Sequence, residues 1–93
     1  MQVRFLPGLP ITVLMFYVYA IKSLKDGRIY VGMCSNLENR LKEHNAGKTK
    51  STKGFMPWFF IYSEEVKSRL EARKREKYLK SGVGKEFLKS LAI

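Results

Sequence analysis

Two short runs rich in aromatic and β-branched residues, at 16–22 and 28–33, stand on either side of Lys25-Asp26-Gly27. Asp favours turns and Gly accepts positive φ, so the pattern predicts an antiparallel hairpin. A lone hairpin is marginal in water, so the rest of the chain has to cover it. With 93 residues there is room for one modest core. A third apolar run, at 58–62 behind Pro57, predicts another strand. Ser35 followed by Glu38 matches a capping box, which predicts a helix over 35–45 ended by Gly47. Residues 46–54 read as a polar loop. The pattern turns helical over 66–80, breaks at Ser81-Gly82-Val83-Gly84, and resumes over 85–91 with Phe87, Leu88 and Leu91 inward. The order β-β-α-β-α-α suits an α+β fold, an antiparallel sheet with helices against it.

Residues 15–93 are expected to form one domain. Pro7, Gly8 and Pro10 argue against regular structure near the start, so 1–14 is expected to be a flexible leader, with Met15 as the functional start. The uncharged run 11–21 has 11 residues, too few to span a bilayer. Cys34 is the one cysteine, which excludes an internal disulfide and any cysteine-based zinc site. It is expected to pack as a small apolar residue, in keeping with a reducing cytoplasm.

Charge narrows the class of partner. Eighteen Lys and Arg against eight Asp and Glu leave a formal charge of +10. That balance points to a polyanion, since cations that meet phosphates release counterions and drive association. A membrane surface is disfavoured, because no helix pairs a large apolar face with its lysines. The lysines of the polar loop, Lys48, Lys50 and Lys53, and Arg73 and Lys77 of the basic helix are the expected nucleic-acid contacts.

Within the first helix, Leu37 and Leu41 define an inward stripe, and Arg40 and His44 share it. Burying a guanidinium and the single histidine is costly without partners. Arg40 offers a planar fork for two phosphate oxygens, or it pairs with Glu38, Glu43 or Glu76. His44 suits donation to phosphate or proton transfer, or it is a satisfied core residue. On the basic helix, Glu76 stands four residues after Ala72 and three before Leu79, so it faces inward. Such a carboxylate is an ion-pair partner or a ligand for Mg²⁺ or Mn²⁺, which favour oxygen and keep most of their waters. Tyr17, Tyr19 and Tyr30 read equally as sheet aromatics, and Gly32 within a strand suggests close backbone approach.

These residues resemble the GIY-YIG nucleases. Tyr17-Val18-Tyr19 is similar to the first signature strand, with Tyr and Val in place of its Gly and Ile. Eleven residues on, Tyr30-Val31-Gly32 is similar to the second. The run from Ile29 through Leu41 resembles the nuclease domain of the bacterial excision-repair nuclease, and the whole of 15–91 resembles the small standalone bacterial members. The resemblance implies a small three-stranded antiparallel sheet flanked by helices. It implies that Tyr30 is the base toward the attacking water, that Tyr19 supports the site, and that Arg40 stabilises the scissile phosphate. It further implies that His44 matches a histidine of several branches and that Glu76 holds one divalent cation. Met33 departs from the repair nuclease, which has Lys there; Lys48 or Lys50 is expected to compensate.

The expected function is therefore a metal-dependent endonuclease on DNA, with RNA as an alternative substrate and a link to DNA repair. Its own sequence preference is expected to be low, with structure selectivity or a protein partner supplying specificity. The competing reading is a non-catalytic nucleic-acid-binding module on the same fold. A tyrosine, with an ordinary pKa of ~10, is a poor base at neutral pH unless positive charge lowers that value.

Overall fold

The structure, a computed structural model, describes residues 15–91. The expected leader at 1–14 lies outside them. Strands β1 (Phe16–Ser23) and β2 (Ile29–Cys34) form the hairpin, followed by helix α1 (Leu37–Asn45) and a short 3₁₀ turn at Lys53–Phe55. Then come β3 (Trp58–Val66), α2 (Arg69–Lys80) and α3 (Gly82–Leu91). The sheet is antiparallel with order β2-β1-β3, the three-stranded α+β arrangement that the sequence predicts.

β1 is central, which explains its unbroken apolar run: Val18, Tyr19, Ala20 and Ile21 are all fully buried. Side chains alternate between the faces. Val18 and Ala20 pack with Val31 beneath α2 and α3, against Ala72, Leu79 and Leu88. Tyr19 and Ile21 point the other way, with Trp58, toward Tyr30, Leu37 and Leu41 on the α1 side.

Four boundaries differ from expectation. α1 is capped by Asn36, whose side chain accepts the Asn39 N–H at 2.9 Å, so the Ser35–Glu38 box does not form. The equivalent device stands at α2, where Ser68 accepts the Glu71 N–H at 3.1 Å. β3 runs past 62 to Val66, and α2 starts correspondingly later. The paired glutamates of β3 look like a strand end, yet Val18 pairs with Glu64 and Tyr17 with Glu65. Partnership with the full length of β1 overrides their low strand propensity. Arg75 completes the accommodation, gripping Glu64 with two bonds of 2.6 and 3.0 Å.

The break between α2 and α3 is only Ser81, not four residues. Gly84 lies inside α3, buried against α2, where a Cβ would collide with the backbone of Tyr78 and Leu79. That glycine serves close helix approach rather than a turn. Of the expected inward residues of α3, Leu88 is buried, whereas Phe87 and Leu91 are 40% and 39% exposed.

Candidate active-site cleft

A hydrogen-bonded chain runs from the surface into the core on the α1 face. Arg40 Nε donates to the Tyr19 hydroxyl at 3.3 Å, and that hydroxyl lies 2.8 Å from His44 Nε2. His44 Nδ1 lies 2.8 Å from Thr52 Oγ1, which reaches the Thr49 carbonyl at 3.4 Å. One assignment satisfies every atom. Thr52 donates to Thr49 O, so it accepts from His44 Nδ1–H. His44 Nε2 then accepts the Tyr19 proton, leaving the phenol oxygen to accept from Arg40. Tyr19, His44 and Thr52 are all fully buried.

The electrostatics agree with that direction. Burial, and then the Arg40 charge, push the His44 pKa below its usual 6.5, keeping the ring neutral. Burial pushes the Tyr19 phenol up to about 12 despite its bond from Arg40, so it stays protonated at neutral pH. Arg40 is held protonated by bonds to Tyr19 and to Glu43. The latter is an ion pair of 2.8 Å on the next turn of α1.

Arg40 opens onto a cleft of about 540 Å³ at the end of β2 and the start of α1. Across it stand Arg69, Arg73 and Glu76 of α2, with Glu43 beside Arg40. Glu76 bonds Lys80 at 3.2 Å and is 21% exposed. Arg69, Arg73 and Glu76 fall at i, i+4 and i+7, so one stripe of α2 carries all three. That spacing was available in the sequence, although Arg69 and Glu43 were not expected site residues. Thr52 had no signal, since its meeting with His44 depends on the loop's path.

Tyr30 stands somewhat apart. Its ring packs edge-on against His44, centroids 5.2 Å apart, so His44 sits between the two phenols. Tyr30 does not line the cleft; its ring lies on the α1 face of the sheet, against His44 and Trp58. Tyr19 is committed to Arg40 and His44, while the Tyr30 hydroxyl has no side-chain partner among the described residues. Lys48, Lys50 and Lys53 are exposed on the loop after α1 and none lines the cleft. The cations facing Glu76 and Arg40 there are Arg69 and Arg73, which corrects the expectation that Lys48 or Lys50 stands in for the lysine replaced by Met33. Lys77 is exposed on α2. Cys34 lines the cleft as a free thiol whose pKa burial raises, so it is not a ready nucleophile.

Gly32 makes this arrangement fit. It pairs with Tyr19 across the hairpin, and a Cβ at 32 would lie 2.6 Å from the Tyr19 hydroxyl. Among the described residues no three His, Cys, Asp or Glu converge as a metal cluster, and no helix is long and apolar enough to cross a membrane.

Residues 15–89 match the family described as the GIY-YIG catalytic domain. The chain is 40% identical to a UPF0213 protein of Staphylococcus haemolyticus over 76 residues, 81% of this chain and 92% of that one. It is 43% identical to a UPF0213 protein of Clostridium perfringens over 67 residues, 71% of each. Among solved structures it is similar to a solution structure of a UPF0213 protein of Bacillus halodurans. That likeness has 35% identity and a TM-score of 0.51, covering 83% of this chain and 84% of the other.

Proposed function

The chain belongs to the GIY-YIG family, and from that footing we propose that it is a metal-dependent endonuclease hydrolysing phosphodiester bonds in DNA. The observation that carries this reading is Arg40, braced from behind by Tyr19, His44 and Thr52 and facing Glu76 across one cleft. A braced guanidinium is preorganised for charge that grows on a phosphoryl oxygen, so little reorganisation is needed at the moment of reaction. Tyr30, acting as its phenolate, takes the proton of the attacking water. A new phosphorus–oxygen bond forms as the bond to the leaving sugar oxygen breaks, and that oxygen takes a proton from solvent. Tyr19 positions Arg40 and is not itself the base, because it holds its proton.

Glu76, with Glu43 on the same cleft, gives an oxygen-only donor set that fits Mg²⁺ or Mn²⁺. Glu76 would hold one such ion, which when bound supplies positive charge for the leaving oxygen. Arg69, Arg73 and Lys77 of α2 and the loop lysines 48, 50 and 53 would contact the phosphate backbone. Low sequence preference, a role in repair, specificity from a protein partner and a cytoplasmic setting belong to the same reading, with 15–93 as one nuclease domain.

One observation favours a non-catalytic binding module instead: Glu76 is paired with Lys80 and Arg40 with Glu43, so both charges are already compensated. Supercoiled plasmid with Mg²⁺ or Mn²⁺ separates the two. Nicking by the wild type that disappears in chelator and in Glu76→Ala supports the nuclease. Tight binding with no nicking under any metal supports the module.

A further inference from the structure

Helix α1 ends on His44 and Asn45, and these two side chains tie it both to the following loop and to β3. His44 Nδ1–H donates to Thr52 Oγ1 at 2.8 Å. The Thr52 carbonyl accepts the Trp58 indole N–H at 2.9 Å. Trp58, the first residue of β3, then leads back to α1. Its backbone N–H donates to Asn45 Oδ1 at 2.7 Å, and its carbonyl accepts from Asn45 Nδ2 at 3.1 Å. The four residues close a circuit. β3 is an edge strand, so Asn45 takes the place that a further strand would occupy beside Trp58. His44 and Thr52 have no exposure and Trp58 has 3%, so water does not compete for the bonds among them.

Two members of the circuit carry the rings against which Tyr30 is set. The Tyr30 ring stands edge-on to His44, centroids 5.2 Å apart, and edge-on to Trp58, centroids 6.4 Å apart, both at 64°. Gly32, two residues along β2, crowds the same ring: a Cβ there would come within 3.1 Å of Tyr30 Cε2. Tyr19 is fixed by hydrogen bonds at its hydroxyl. The Tyr30 hydroxyl has no side-chain partner among the described residues, so packing alone sets its direction. His44 serves both phenols, because its other nitrogen accepts from Tyr19, the brace of Arg40. Neither Trp58 nor Asn45 lines the cleft.

We propose that Trp58 and Asn45 are positioning residues for hydrolysis: through the circuit they hold the His44 and Trp58 rings in place, and those rings aim the Tyr30 hydroxyl at the attacking water. The proposal rests on the nuclease reading above, in which Tyr30 is the base. Asn45 acts through the indole, and the indole acts through the phenol. An edge-on aromatic contact is weak, so it holds a direction only when the ring that makes it is itself fixed. A displacement of about 1 Å at the reacting centre costs on the order of 10²-fold in rate, which makes such fixing matter.

The test pairs NMR of the aromatic rings, recorded without metal, with kinetics of plasmid nicking in Mg²⁺ or Mn²⁺ well below Tm. Tyr30→Phe identifies the Tyr30 resonances, and Trp58 is the one tryptophan, so its signals are unambiguous. Asn45→Ala, at the exposed end of α1, should shift the Tyr30 ring resonances and weaken their cross-peaks with the Trp58 ring. In the same variant kcat should fall roughly 10–10²-fold while KM changes less than about twofold. Trp58→Phe, which keeps a ring but loses the indole N–H, should also shift Tyr30 and lower kcat. Asn45→Asp keeps an acceptor for the Trp58 N–H and should lie between Asn45→Ala and the wild type; it carries the test should the other variants melt early. A kcat kept at the wild-type level, or a loss carried by KM, overturns the proposal. Nicking by the wild type with Tyr30 resonances unmoved in the variants overturns this role and spares the nuclease. A wild type that never nicks overturns the nuclease reading and the positioning role with it.

Discussion

Gly32 and Tyr19 face each other across the hairpin so closely that a Cβ on the glycine would lie 2.6 Å from the phenol oxygen and 2.8 Å from Cζ. The tyrosine cannot retreat. It is fully buried and bonded to both His44 and Arg40. The missing side chain at 32 is thus what lets a phenol on the central strand reach helix α1 and brace its arginine.

Gly32→Ala should therefore act at a distance. Overpacking of this kind costs about 1–3 kcal/mol, which in a domain this small lowers Tm by roughly 4–8 °C per kcal/mol. Plasmid nicking should fall further than stability explains, because Arg40 loses its brace. Thermal melts beside nicking assays on samples still folded check this; normal nicking with a lowered Tm would show that the brace does not matter.

Tyr19→Phe leaves His44 Nε2 buried without its donor and Arg40 Nε without its acceptor. An unsatisfied buried group costs about 1–3 kcal/mol, so Tm should drop measurably. Arg40→Ala should reduce the nicking rate by about 10²–10³, the size expected for loss of one preorganised donor. Tyr30→Phe should also abolish nicking while leaving Tm nearly unchanged, since its hydroxyl has no side-chain partner among the described residues. Nicking by Tyr30→Phe at the wild-type rate would remove its role as base.

Stability should fall in two stages on acidification. His44 has its folded pKa below the usual 6.5. The unfolded chain then binds a proton that the folded one refuses, and stability declines as pH drops below about 6.5. Glu64 has its pKa lowered by Arg75, below the usual 4.5, so its contribution is present above that value and lost beneath it. Tm followed from pH 8 to 3 should show both steps. Thr52→Val, which removes the acceptor for His44 Nδ1–H, should destabilise the protein at neutral pH. Glu64→Gln should flatten only the lower step.

Lys80 and a divalent cation would compete for the same carboxylate. Lys80→Met should then lower the metal concentration needed for half-maximal thermal stabilisation, and Glu76→Ala should abolish that stabilisation. An unchanged metal titration in both variants would count against Glu76 as the ligand.

Arg69→Ala with Arg73→Ala should weaken nucleic-acid binding and nicking together, because both line the cleft. Removing Lys48, Lys50 and Lys53 together should lower affinity and salt dependence with a smaller effect on nicking. A larger nicking loss from the loop variant would relocate the productive contacts.

Much of this molecule was readable from one chain. The hairpin followed from turn chemistry between two β-rich runs, and Arg40 and His44 from polar residues on an apolar stripe. Glu76 followed from its spacing to Ala72 and Leu79. What failed did so where local and distant preferences disagree. Glu64 and Glu65 look like the end of a strand, but β1 supplies partners as far as Val66. Ser35 and Glu38 have capping-box spacing, yet Asn36 sits nearer the turn and caps first. Gly82 and Gly84 look like a hinge, but α3 runs through both because Gly84 is needed against α2.

Local periodicity and residue chemistry determined the elements and their order, because those depend on neighbours a few positions away. Tertiary structure alone decided that Thr52 meets His44, that the loop lysines stay outside the cleft of Arg40 and Glu76, and that Tyr30 packs against His44 without lining that cleft. Those meetings depend on how a loop travels and on which end of a strand a helix crosses. Neither leaves a periodic trace, since each is settled by close packing between segments distant along the chain.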